Sequence, residues 1–239
     1  MLNKLLSITL LLTLSLFTTT SEAGIVPYSD TEFDDSDWVM TKIIDNTVGA
    51  TATGGAIKNS SGGNPGAYRR GTHDWTTKVS GASIAFSHIN PTFVYDPSTQ
   101  GEIVELNYDL DMATFSAPHV GGVGVGSALM QDGHIFTASG STSILNTGWQ
   151  LHEFLSKVST DFTSQTTAGH PDFSTSGSPI QFGFFTSNGG SGTVRNLIAT
   201  FGIDNYNVEV SNNPIPEPST FSLLLIAGAA LTRRRTQRG

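Results

Sequence analysis

The sequence predicts an all-β sandwich, and three observations lead to this fold class. Short segments alternate apolar and polar side chains, as in residues 104–112, which is the period of a strand with one buried face. Turns rich in glycine, serine, threonine and asparagine separate these segments. Amphipathic helical patterns are few. Residues 24–212 are therefore expected to form one large β domain.

The predicted elements follow one another along this body. A hairpin is expected over residues 128–136, because Asp132 and Gly133 form a turn in which glycine tolerates a positive φ. Residues 151–158 are predicted as one or two helical turns, and the glycine-rich stretch 54–66 as a loop. The other strands are predicted at residues 38–44, 82–89, 104–112, 180–186, 194–201 and 206–210.

The N-terminal segment has the features of a secretory signal peptide. Lys4 gives a positive start, residues 5–17 are mostly apolar, and Ser21, Glu22 and Ala23 form a small-x-small cleavage pattern. The apolar run is shorter than the roughly 20 residues that a membrane-spanning helix needs. We therefore expect residues 1–23 to be removed after Ala23 by a signal peptidase.

The C-terminal segment, residues 213–239, differs in composition from the rest of the chain. Prolines at 214, 216 and 218 keep the approach extended, and a short apolar run over residues 221–231 follows. Arginines at 233, 234, 235 and 238 come next and would stay on the cytoplasmic side. This order predicts a transient anchor in the inner membrane that stays accessible to cleavage.

Pro216, Glu217 and Pro218, followed by the apolar run and then by Arg233, Arg234 and Arg235, resemble the PEP-CTERM sorting signal. The resemblance implies processing by an exosortase-type enzyme in a bacterium with abundant exopolysaccharide. It also implies an exported protein that ends at the cell surface or in the extracellular matrix.

Composition limits the partners of the body. The net charge is −8, and the terminal segments hold five of the 12 basic residues but only two of the 20 acidic ones, so the body is more acidic still. Nucleic acid and anionic lipid are disfavoured, because both need a basic surface. An acidic body is better suited to binding divalent cations or neutral sugars, or its charge serves solubility alone. Cysteine is absent, so the fold depends on an ordinary core, with or without a metal.

The two ends of the body carry a second resemblance. The acidic and aromatic opening, residues 32–38, and the closing segment, residues 201–208, are similar to the first and last strands of galactose-binding-like and laminin-type jelly rolls, in the wider concanavalin-like class. The resemblance implies that these ends lie side by side and hold a structural Ca²⁺ through Glu32, Asp34 and Asp204. The alternative is a set of solvated acids with an Asx turn.

Catalytic patterns are incomplete. Glu105, Asp109 and Asp111 share one face of a predicted strand and resemble the acidic strand of laminarinase-like glycosidases. That pattern, Glu-x-Asp-x-x-Glu, is broken, because Asn107 and Leu110 occupy two of its positions. A solvated outer face is the alternative. We therefore expect a protein that is not an enzyme.

Aromatic residues are the remaining candidates for ligand binding, because a flat ring can stack on the C–H face of a sugar. Trp75 is predicted to be exposed in a polar loop, beside Asp74, with Arg69 or Arg70 to bond hydroxyl groups. Trp38 and Trp149 begin strands and are expected in the core. A glycan-binding module, a structural matrix protein without a ligand, and a glycosidase remain open at this point.

Overall fold

The computed structural model describes residues 24–46, 51–78, 81–117, 122–144, 148–164, 166–189 and 194–213. The predicted signal peptide, and the predicted sorting segment from residue 214 onward, lie outside these residues. No helix in the described part is long and apolar enough to cross a membrane.

Strands dominate the described residues. One short helix, α1 (Pro97–Gln100), is capped by the Asp96 side chain, which accepts from the Ser98 N–H. The strands are β1 (Gly24–Asp30), β2 (Val39–Asn46), β3 (Thr51–Gly63), β4 (Gly66–Lys78), β5 (Ser83–Tyr95), β6 (Glu102–Ser116), β7 (Gly122–Gln131), β8 (His134–Ile144), β9 (Gln150–Lys157), β10 (Thr163–Ser164), β11 (Ile180–Gly189) and β12 (Val194–Asn213).

These strands form two six-stranded sheets. Sheet A has the order β3-β4-β12-β6-β9, and β1 also pairs with β12; sheet B has the order β10-β8-β7-β11-β5-β2. All the pairs are antiparallel. The prediction of an all-β two-sheet sandwich is confirmed.

The core lies between the sheets and follows the period of the strands. Along β6, Leu106, Tyr108, Leu110 and Met112 are buried, while the residues between them are partly exposed. Aromatic rings fill much of the interior. Tyr206 of β12, for example, packs against Trp38 and Phe184 at ring-centroid distances of 5.3 and 5.8 Å.

The two ends of the body pair as expected. β1 runs antiparallel to the end of β12, with Gly24 opposite Asn212 and Asp30 opposite Tyr206. The pairing uses residues 24–30, however, and the acidic stretch after them forms a turn, Asp35–Asp37.

Two local predictions are wrong. Residues 151–158 were predicted as helix, but Gln150–Lys157 is a strand, because His152 and Phe154 are buried alternately against β6. The glycine-rich stretch 54–66 was predicted as a loop, but most of it belongs to β3. Gly54 fits there because a Cβ at this position would lie 2.5 Å from the Phe86 ring of the facing sheet.

The other predicted elements match the structure closely. The hairpin of β7 and β8 turns at Asp132 and Gly133, whose φ angles are 52° and 76°. The strands predicted at 194–201 and 206–210 are parts of one long strand, β12, which has a bulge between Asp204 and Asn207.

Candidate functional site

The group predicted around Trp75 does not assemble. Trp75 was expected to be exposed in a polar loop, but it lies in β4 with its side chain fully buried, and its Nε1 donates to Asn188 Oδ1 at 3.1 Å. Because side chains alternate along a strand, Asp74 is exposed on the opposite face. The Trp75 ring therefore has no face open to a ligand.

Arg69 is buried on the same inner face as Trp75. Its guanidinium lies 6.0 Å from the Trp38 ring centroid, and its Nη1 is 3.8 Å from Asp35. Burial lowers the pKa of Arg69 to about 10, so the side chain is still cationic at neutral pH. Arg69 therefore helps to hold the interior together and is not available to a ligand in solvent.

A chain of buried polar side chains continues from Arg69. Arg69 Nε donates to His88 Nδ1 at 3.3 Å, and both His88 Nε2 and His73 Nε2 lie within 3.2 Å of Thr186 Oγ1. An arginine only donates, so the neutral His88 accepts at Nδ1 and donates from Nε2 to Thr186 Oγ1. Burial lowers the pKa of His73 to about 3, and burial and Arg69 also lower that of His88. Both imidazoles are therefore neutral at pH 7.

The carboxylates predicted to share a calcium ion bond to different groups. Glu32 and Asp34 form salt bridges with Lys58, at 3.1 and 2.8 Å. Asp204 is buried, and it accepts from the backbone N–H groups of Asn64 and Asn205. Within the described ranges, no three histidine, cysteine, aspartate or glutamate side chains are grouped so that they could hold a metal. Glu32, Asp34 and Asp204 are therefore not grouped together, and calcium binding stays a prediction.

The acidic strand is β6, and its carboxylates lie on the outer face of sheet A. Asp109 accepts from Asn207 at 2.8 Å. Asp111 accepts from the side-chain amides of Asn205 and Asn64, at 2.7 and 3.1 Å. These partners are neutral amides, so neither carboxylate is paired with a positive charge through these bonds.

Three aromatic rings that were not predicted as a group meet on this outer face. Tyr68 of β4, Phe115 of β6 and Trp149 have centroids 5.4 to 5.9 Å apart. Phe115 is 43% exposed, Trp149 is partly exposed, and Tyr68 is mostly covered. We call the surface formed by the side chains of Tyr68, Phe115 and Trp149 the aromatic face.

Small residues beneath the rings allow them to lie on the sheet. Gly202 of β12 pairs with Ala113 of β6, and a Cβ on Gly202 would lie 2.6 Å from Trp149 Cη2 and 2.8 Å from Tyr68 Cδ2. Trp149 comes just before Gln150, which pairs with Met112, so it stands beside Ala113. The missing side chain at Gly202 thus makes room for the rings.

A polar network adjoins the rings on one side. Asp111 and Asp204 are each two residues from the small pair under the rings, or about 7 Å along a strand. The Asn205 amide donates to Asp111 and also to the Asn64 carbonyl, at 2.5 Å. These bonds hold the tip of the β3–β4 hairpin against the face. Hydrogen-bonding groups therefore lie next to a ring surface, which is a typical composition for a ligand site.

The aromatic face was missed because Trp149 was expected in the core. The alternation of inward and outward side chains along β6 is the sequence signal that indicates the aromatic face. Once Leu110 and Met112 are assigned inward on β6, Ala113 and Phe115 fall on the outer side, because Thr114 points inward and bonds to the Ser143 carbonyl. This inference needs the pairing of β6 with its neighbours.

Comparisons with known proteins concern the fold. No protein-family model matches the chain, and no curated protein does either. Among solved structures, the family 11 carbohydrate-binding module of the cellulase Lic26A-Cel5E of Clostridium thermocellum is 13% identical, with a TM-score of 0.41, over 77% of this chain and 95% of that one. The CBM22-1 xylan-binding domain of Paenibacillus barcinonensis Xyn10C is 8% identical, with a TM-score of 0.39, over 80% and 97%.

A third similar structure is a protein of unknown function from Shewanella oneidensis MR-1. It is 14% identical, with a TM-score of 0.37, over 87% of this chain and 95% of that one. These similarities are distant and concern the fold alone.

Proposed function

We propose that this chain is an exported, non-catalytic glycan-binding protein of an extracellular polysaccharide matrix, and that the aromatic face is its binding site. The observation that carries the proposal is the cluster of Tyr68, Phe115 and Trp149 at the surface of a sheet. Rings of this kind usually lie in a core, and exposing them costs free energy unless a ligand covers them. Sugars supply apolar C–H faces that can do so.

The polar surroundings supply the second part of sugar recognition. Asp111, Asn64 and Asn205 offer carboxylate and amide groups beside the rings, and Arg70 of β4 is exposed next to Gly202 in the sheet. Such groups can donate to and accept from hydroxyl groups. The mutual hydrogen bonds among these side chains keep them in place before a ligand arrives, which lowers the entropy cost of binding.

The cellular location in this proposal rests on the two terminal segments of the sequence. The segment ending at Ala23 supports export followed by cleavage by a signal peptidase. The Pro216-Glu217-Pro218 motif with its arginine cluster supports transient anchoring in the inner membrane and processing by an exosortase-type enzyme. A protein sorted in this way would meet extracellular polysaccharide.

A structural matrix protein without a ligand is the second candidate. Exposed aliphatic side chains favour it: Ile57 and Leu151 of sheet A are 59% and 60% exposed, on the strands that flank the rings. Such side chains are common at contacts between proteins. This candidate predicts no saturable affinity for any sugar.

Binding of the purified full-length chain to a panel of soluble and insoluble polysaccharides tests the proposal. We expect saturable retention on at least one of them. Trp149→Ala should weaken it by about tenfold or more, which is the size of a central aromatic contact. The matched control is Leu155→Ala, because Leu155 is 55% exposed on β9 but outside the ring cluster.

The melting temperatures of both variants should stay close to that of the wild type. Parallel runs with calcium and with a chelator test the predicted metal. If no polysaccharide retains the wild type, the structural candidate replaces the proposed one. If Trp149→Ala and Leu155→Ala weaken retention equally, the aromatic face is not the site.

A further inference from the structure

We propose, resting on the proposed function, that the aromatic face selects a single uncharged glycan chain, and that it rejects both polyuronates and flat crystalline polysaccharide surfaces. Two independent features carry this inference. One is the relative orientation of the three rings, and the other is the charge of the outward side chains around them.

The rings are nearly perpendicular to one another. Tyr68 makes interplanar angles of 68° with Phe115 and 77° with Trp149, and Phe115 and Trp149 make an angle of 82°. A flat crystal face needs coplanar rings, because each ring must lie parallel to the same plane. Rings set at such angles can present at most one stacking face to a plane. They suit a separate chain, which can turn from one sugar to the next.

The carboxylates form a row beside the rings. Asp109 and Asp111 lie on the outer side of β6, and Glu153 of β9 lies directly opposite Asp109. Glu209 of β12 lies on the same side, two residues from Asn207. Among the salt bridges of the described residues, none includes these four carboxylates. None of the four is therefore paired with a lysine or arginine. Arg70, exposed beside Gly202, brings one positive charge to the same face and offsets only part of these four negative charges.

This charge decides which polymers can approach. Asp111 is about 7 Å along β6 from Ala113, and Asp109 is about 14 Å away, and both distances are shorter than the screening length of about 30 Å at 0.01 M salt. A uronate in contact with the rings would feel this repulsion, but a neutral sugar would not. The face of a second copy would bring acidic residues against acidic residues, so self-association through this face is disfavoured as well.

The first experiment compares probes with the full-length chain. The uncharged soluble probes are mixed-linkage β-glucan, arabinoxylan and galactomannan; the charged probe is sodium polygalacturonate; and the flat probe is microcrystalline cellulose. Affinity electrophoresis and depletion measure the binding in low salt. We expect at least one uncharged soluble probe to bind about tenfold more tightly than polygalacturonate, as like-charge repulsion would give.

The second experiment removes charge from the row. Asp109→Asn with Glu153→Gln keeps the shapes and should raise affinity for polygalacturonate about fivefold in low salt, as expected for two exposed charges. Affinity for the uncharged probe should change less than about twofold, since no uronate is involved. The control is Asp132→Asn, at the turn between β7 and β8 on sheet B, which removes a charge elsewhere.

The outcomes separate the two proposals. Equal affinity for polygalacturonate and uncharged chains, or strong binding to crystalline cellulose, overturns the selectivity and leaves glycan binding standing. If Asp132→Asn gains as much affinity per removed charge as the double variant, net charge and not this row governs selection, and the inferred selectivity is overturned as well. If none of the five probes is bound, the selectivity inferred here is wrong, and the polysaccharide panel proposed above decides whether glycan binding fails as well.

Discussion

Trp75 and Trp149 belong to the same side of the sandwich, but they have opposite surroundings. Trp75 lies on the inner face of sheet A, fully buried, with its indole N–H bonded to Asn188. Trp149 stands on the outer face, partly exposed and edge-on to Tyr68 and Phe115. Both have polar neighbours along the chain. The difference teaches that the face of the strand, and not the polarity of sequence neighbours, decides the exposure of an aromatic residue.

The sequence of β4 does not alternate between apolar and polar residues, although its side chains alternate between the two faces of the sheet. Arg69 and His73 point inward with Trp75, while Arg70 and Asp74 point outward, so polar residues occupy both faces. Arg69 and His73 are tolerated in the interior because hydrogen bonds satisfy part of their polar atoms.

Trp75→Ala should unfold the protein most readily. The substitution leaves a large cavity between the sheets and an unpaired Asn188 carbonyl, so we expect the free energy of unfolding to fall by about 3–5 kcal/mol. Urea denaturation followed by fluorescence measures it. Trp75→Phe fills most of the space and loses the hydrogen bond, so it should cost about 1–2 kcal/mol.

Glycan affinity per folded molecule should stay unchanged in both variants, since the ring has no outward face. A fall of less than about 1 kcal/mol in Trp75→Ala would contradict the buried position, because losses this small are typical of surface sites. Lost affinity in the folded Trp75→Phe protein would place the binding site elsewhere.

Acid should destabilise the interior through its histidines. Burial lowers the pKa of His73 to about 3 and also lowers that of His88, whereas the unfolded chain binds these protons below about pH 6.5. The contribution of these neutral histidines to the free energy of unfolding is therefore complete above pH 6.5. It is lost as the pH falls toward 3. The expected slope is about 1.4 kcal/mol per pH unit for each histidine. Urea denaturation at pH 7, 6 and 5 measures this slope.

The variant His73→Phe isolates this effect. It removes one of the lowered histidine titrations, which also include that of His152, because burial lowers the pKa of His152 too. The pH slope should therefore fall by about 1.4 kcal/mol per pH unit. Asp204 contributes with the opposite sign, because burial raises the pKa of its carboxyl, and it is left unchanged in this comparison. The matched control is His134→Gln, which replaces a histidine at a partly exposed position. A slope in His73→Phe equal to the wild type would contradict a neutral buried His73.

The sequence could predict the fold class, because β6 shows a period of two and the turn at Asp132 and Gly133 is local chemistry. It could not predict β3, because the glycines there are selected by contacts with the facing sheet, as Gly54 meets Phe86. The strand at Gln150–Lys157 was also missed, since His152 and Leu151 do not show which face is buried. Both misses are cases in which contacts between sheets override local preference.

The candidate site was less predictable than the fold. Its rings come from three strand neighbourhoods that are distant in sequence, and Gly202 joins them only once β12 lies between β4 and β6. The acidic residues of β6 were recognised as sharing one face, and the structure confirms this arrangement. Trp75 was the preferred ligand residue because it lies beside Asp74 in the sequence, yet the two point to opposite sides of the sheet.

Gly202→Ala tests the outer tryptophan without changing it. The added Cβ would lie 2.6 Å from Trp149 Cη2 and 3.0 Å from Phe115 Cζ, so the rings must move. We expect a loss of about 1–3 kcal/mol in stability. A shift in Trp149 fluorescence and weaker glycan retention should accompany it. The control is Gly55→Ala, whose Cβ would meet Thr72 Oγ1 at an ordinary 3.5 Å. Equal effects at both glycines would contradict the close packing of the rings.

Asp74→Asn should have the smallest effect and marks the limit of the aromatic face. Asp74 is exposed opposite Ile198, which lies four residues, or about 13 Å, along β12 from Gly202. Stability should change by less than about 0.5 kcal/mol, as is usual for a surface substitution, and glycan retention by less than about twofold. Urea denaturation and the retention assay measure both. Weaker retention in Asp74→Asn would mean that the bound chain extends along β12 past Ile198. The binding site would then be longer than the cluster of three rings.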